Sequence, residues 1–105
     1  MSIQQRWIKL TTINNVHDDM IYNNGLNIDI YPFNPVQECS KGELYFCKRE
    51  YAHRWIHIRK GMHFMWDVEL PKNEHVIHYN YKSKAHKIIL SKPRLIENDI
   101  NRKKL

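Results

Sequence analysis

Phe64, Trp66, Val68 and Leu70 alternate with Met65, Asp67 and Glu69 and stop at Pro71. A period of two with the large apolar residues on one side is the pattern of a strand with one buried face. Proline closes it because it has no N–H to give a sheet ladder. A second alternation sets Leu26, Ile28 and Ile30 against Asn27 and Asp29, and it predicts another strand with its apolar side inward. The β-branched and aromatic segments Arg6–Ile13, Glu43–Cys47, Glu74–Tyr79 and His86–Leu90 read as further strands.

The connections carry turn chemistry. Asn14–Asp19 is polar, and Asn23-Asn24-Gly25 offers residues that tolerate positive φ. Pro32-Phe33-Asn34-Pro35 opens a stiff extended loop running to Gly42, because neither proline can donate to a ladder.

Composition favours this strand-rich reading. Thirteen Ile and ten Asn stand against two Ala, and Ile and Asn are weaker helix formers than Ala or Leu. The exception is Lys48–Ile58. There Tyr51, Ala52, Trp55, Ile56 and Ile58 fall on one side of a helical wheel, opposite Arg49, Glu50, His53, Arg54, His57 and Lys60. Gly61 follows at a position suited to a left-handed cap. Strands before and after one amphipathic helix predict an α+β domain on a mostly antiparallel sheet, with the main helix at about 48–58. At 105 residues the chain has room for one core of ordinary size. Residues 1–100 are read as that domain and 101–105 as a frayed basic tail.

The formal charge of +6 is unevenly placed. Residues 1–52 carry five basic and six acidic side chains, whereas 53–105 carry twelve and five. No stretch approaches the ~18–20 apolar residues that span a bilayer, and MSIQQRWIKL lacks a signal-peptide core. The expectation is a soluble intracellular chain without a membrane partner. Cys39 and Cys47 match neither a disulfide-rich pattern nor a CxxC pair and read as reduced thiols.

Several constellations bear on chemistry. His53 and His57 have the i,i+4 spacing of zinc ligands, but no third ligand presents itself and the face is cationic, so it reads as solvated and no metal is expected. His75, His78 and His86 lack a Ser or Cys nucleophile context and read as surface histidines. Gly25 and Gly42 are isolated, which excludes glycine-rich phosphate cradles, and no cofactor is expected. From Tyr79 to Ile96 the chain holds Lys82, Lys84, Lys87, Lys92 and Arg94 with no acidic residue, interleaved with Tyr79 and Tyr81. Cations beside aromatics are what a phosphate backbone with unstacked bases selects, although the same lysines also suit a solvated strand face.

The order Gly25-Leu26-Asn27-Ile28-Asp29, Pro32-Phe33-Asn34-Pro35, Cys39 and Gly42-x-Leu44-Tyr45-Phe46 resembles a family of small proteins of mimivirus-like giant DNA viruses. Their pattern is GLN-D, PFNP, a Cys, then G-x-YF and a helix. In that family the module often precedes ankyrin repeats. The likeness continues through Trp66–Pro71 and Lys84–Leu90, covering about residues 15–95. It implies a stand-alone viral copy located in the host cytoplasm or the virion, and it implies no activity. A weaker likeness joins Gly42–Cys47, Glu50–Trp55 and Val68–Pro71 to the middle of some ADP-ribosyltransferase-like domains. That likeness makes Tyr45 the candidate to line a nicotinamide pocket, with Tyr51 of the helix's Tyr-Ala pair beside it.

The leading expectation is a non-enzymatic binding module. Its partner, a protein or a nucleic acid, would be met through Lys82, Lys84, Lys87, Lys92 and Arg94, and no catalytic residue is assigned. The alternatives are a reduced or degenerate ADP-ribosyltransferase-like NAD-binding domain and a small virion structural protein.

Overall fold

A computed structural model describes residues 6–17, 20–36 and 44–97. The Gly42 end of the proline loop, Cys39 and the tail 101–105 lie outside the described residues.

The alternating segment forms β6 (Met62–Glu69), third in a seven-stranded antiparallel sheet. On one side β6 pairs with β1 (Trp7–Thr12), and β1 with β5 (Leu44–Lys48). On the other side it pairs with β9 (Lys87–Leu95), which also carries β4 (Gly25–Ile28). Beyond β5 lie β8 (Ser83–Ala85) and then β7 (Val76–His78). The small strands β2 (Val16–His17) and β3 (Met20–Ile21) form a separate hairpin. The expected helix is a 3₁₀ turn, Arg49–Tyr51, running into α1, Ala52–Ile58. An α+β domain on a mostly antiparallel sheet is therefore what the chain forms.

Only His86 separates β8 from β9, yet they stand second from opposite ends of the sheet. Ala85 and Lys87 are two Cα steps apart, at most ~7.6 Å. The sheet must therefore curl until its flanks meet. The inside of the curl holds one core, formed by Leu44 and Phe46, Trp66 and Val68, Ala85, and Ile88 and Leu90, and stoppered by Tyr22. The outside is covered by the helix, whose Tyr51, Ala52, Trp55 and Ile56 pack with Ile8, Leu10, Cys47 and Met65. Met65 sits on the polar side of the β6 alternation and is nevertheless buried, because α1 roofs that face.

A seam remains between the β8 and β9 flanks, held by hydrogen bonds at the His86 corner and by the crossing proline loop. The Glu74 carboxylate accepts the backbone N–H of His86 at 3.0 Å and of Lys87 at 2.8 Å. Asp29 N–H donates to the His86 carbonyl at 2.9 Å. The proline loop then crosses, setting Phe33 against His75 with 5.2 Å between ring centroids. The Asn34 carbonyl receives the Lys84 ammonium at 2.6 Å.

Three readings from the sequence are corrected. The 26–31 alternation is inverted: Leu26, Ile28 and Ile30 are exposed while Asn27 is 3% and Asp29 7% exposed. The Asn27 amide explains this, since it accepts from Asn23 N–H and donates to the carbonyls of Asn23 and Gly25, closing the turn that begins the strand. On the helix, Arg49 is buried and Ile58 exposed, the reverse of the wheel, because Arg49 belongs to the 3₁₀ turn and Ile58 to the last residue of α1. Finally, β9 continues past Leu90 to Leu95. Ser91 faces Asp67 and Arg94 faces Met65, so Lys92 and Pro93 together oppose Trp66 in a bulge, with Lys92 at φ 53°. A bulge is where a strand tolerates proline.

Candidate functional site

The turn between β7 and β8 folds back toward α1 and leaves a cleft of about 440 Å³ lined by Arg54, Trp55, His78, Tyr79, Asn80, Tyr81 and Lys82. Two contacts fix its walls. The Trp55 indole N–H donates to the Tyr81 carbonyl at 2.9 Å, and Tyr51 meets Tyr81 edge to face at 5.3 Å. The amphipathic helix thus holds the turn through residues at its own margin.

Cations lie on the rings. The Arg54 guanidinium sits 3.9 Å above the Tyr81 ring. The Lys82 ammonium lies 4.6 Å from the Tyr45 ring centroid and 5.8 Å from that of Tyr79. The quadrupole of an aromatic face attracts a cation and orients it without neutralising it, so the rings position both side chains at the cleft. None of the seven lining residues is a carboxylate.

Placement of the expected residues is uneven. Lys82 lines the cleft. Lys84 is fully buried, lies 5.6 Å from the Phe33 ring, and donates across the seam, so it presents no charge to a partner. Arg94 is 2.9 Å from the Asp67 carboxylate, which Arg6 approaches at 3.5 Å. Lys87 is exposed at the His86 corner and Lys92 at the bulge. The five do not form one face. Tyr45 and Tyr51 stand behind the cleft, the first beneath Lys82 and the second against Tyr81, and neither lines it.

Of the lining residues that sequence reasoning did not assign to the site, His78 and Asn80 belong to the β7–β8 segment, and the two from a distant element are Arg54 and Trp55. Their only signal was a cation next to an aromatic at the edge of the helix wheel, and the partner turn lies 26 residues further on.

The other groups that could react are engaged, buried or scattered among the described residues. His78 stacks on Trp7 with 5.5 Å between centroids, and its Nδ1 lies 2.7 Å from the Ser83 hydroxyl. Ser83 is buried, so its oxygen cannot meet a substrate carbonyl. Burial pushes the Cys47 thiol up to about 12, against the opposing pull of Lys9 and Arg49, and a neutral buried thiol is a poor nucleophile. His53 and His57 are exposed, and no group of three metal-ligating side chains forms among the described residues. No helix among them is long and apolar enough to cross a membrane.

In comparisons with known proteins, no family model, curated protein or solved structure matches the chain.

Proposed function

We propose that the chain is a non-enzymatic binding module that takes an anionic partner in the cleft between α1 and the β7–β8 turn. One observation carries this reading: two cations, Arg54 and Lys82, are held on aromatic rings at a cleft whose lining contains no carboxylate. Cations oriented in this way attract a polyanion at range, and salt weakens that attraction. The burial of Ser83 and Cys47 supports binding over covalent catalysis. The motif order from Gly25 to Phe46 supports an origin among giant DNA viruses, with action in the host cytoplasm or the virion.

Retention on immobilised heparin at low salt tests the reading. The double variant Arg54→Glu, Lys82→Glu is expected to elute at lower salt than Lys87→Glu, Lys92→Glu, which changes net charge by the same amount elsewhere. Equal elution of the two variants, or no retention of the parent protein, overturns it.

A further inference from the structure

We infer that the cleft is a site for single-stranded nucleic acid, with Arg54 and Lys82 taking phosphates and the Arg54–Tyr81 stack serving as a platform for an unpaired base. This rests on the anionic-partner reading and goes further by naming the partner.

The argument begins with the guanidinium. A lysine would satisfy a diffuse anion equally well, but a guanidinium is planar, and one whose central carbon lies 3.9 Å from a ring centroid still has a second face and an N–H edge. That face can stack a base while the edge takes a phosphate oxygen in a fork. Arg54 is exposed and forms no salt bridge with a described carboxylate, so both remain open. The plane is fixed from beneath, because Tyr81 is itself held by Tyr51 and by the Trp55 N–H on its carbonyl. Ordering before binding lowers the entropic cost of recognition.

The neighbours fit the same ligand. Asn80 is exposed at the tip of the turn, between Tyr79 and Tyr81, and an amide offers both donor and acceptor to a base edge. Lys82 adds a second charge on the far wall. An acidic peptide would use the charges and leave the stacking surfaces idle. A duplex would present phosphates but keeps its bases stacked inside. Only an unpaired strand uses the cations, the platform and the amide together, and stacking of this kind tolerates many sequences.

Fluorescence anisotropy with the full chain decides the matter, using a labelled mixed-sequence single strand as DNA and as RNA, the matching duplex, poly-glutamate and heparin at one ionic strength. The single strands are expected to bind about tenfold or more tighter than the duplex. Arg54→Lys, which keeps the charge and loses the plane, is expected to weaken single-strand binding about fivefold or more, within the range measured for base stacking, while leaving heparin binding unchanged. Tyr81→Leu should do the same, with thermal melting used to check that it folds. Equal affinity for duplex or poly-glutamate, or an Arg54→Lys variant that binds single strands as well as the parent, overturns the inference and leaves the anionic reading standing if heparin still binds. Binding to none of the probes overturns both.

Discussion

The Lys84 ammonium reaches across the seam of the curled sheet to the Asn34 carbonyl at 2.6 Å, so a residue that looks in sequence like part of a charged strand face is a tie between the proline loop and β8. Truncation to Lys84→Ala removes both the buried stem and the charged donor, and is expected to lower stability by about 2–4 kcal/mol. Urea denaturation measures this. Unchanged heparin retention in the same variant would set Lys84 apart from the cations of the cleft.

Glu74 closes the corner on which the curl depends. Its carboxylate accepts two backbone N–H groups, from His86 and Lys87, and hydrogen bonds to a charged group contribute about 1.5–3 kcal/mol. Glu74→Ala should therefore lose about that amount, and Glu74→Gln, which keeps an acceptor oxygen, should lose less. Equal losses in the two variants would mean that the carboxylate holds the corner by charge alone.

Cys47 gives a test in alkaline solution. Its thiol has a folded-state value of about 12 against an ordinary 9.0, raised by burial. A group raised on folding contributes stability that is complete below the unfolded value and is lost as pH climbs toward the folded one. The melting temperature of the parent should thus fall between about pH 9 and 12 more steeply than that of Cys47→Ala. At pH 8 a Cys39→Ser variant, in which Cys47 is the remaining thiol, should resist a thiol-labelling reagent until denaturant is added. Prompt labelling of the native protein would contradict the burial described here.

The inverted strand β4 makes a prediction opposite to hydropathy. Leu26→Thr and Ile28→Thr should each change stability by no more than about 0.5 kcal/mol, as exposed sites do. Asn27→Leu, which strands the N–H and carbonyl of Asn23, should cost about 1–3 kcal/mol despite being the more hydrophobic change. Chemical denaturation of the three variants compares them directly.

The parts of the fold legible in the sequence were those with local causes. Period-two patterning marked β6, and a run of β-branched and aromatic residues marked β1. The apolar wheel marked the helix apart from its two ends. What escaped depends on contacts far apart in the chain. Asn27 faces inward because of an amide network, β9 passes Pro93 through a bulge, and Lys9 is buried, with its ammonium on the Tyr45 carbonyl at 2.6 Å and beside His17 at 2.8 Å. Basic residues between 79 and 96 were visible as a cluster, but adjacency in sequence did not bring them onto one surface. Lys82 is in the cleft and Lys84, two residues away, is inside the protein. Arg54 joined the cleft through a turn that no spacing rule connects to the helix.

The pairing of β9 with both β4 and β6 has a consequence for how the chain acquires this shape. Residues near position 26 wait for partners near position 89, so the order of synthesis and the order of assembly are opposed. As the ribosome emits the chain, β4 has no neighbour in this sheet and its backbone N–H and C=O groups stand unpaired, until the last described strand arrives and takes its place between β4 and β6. Such distant pairing is slow relative to local structure, and during that interval the nascent chain is open to pairing with other chains.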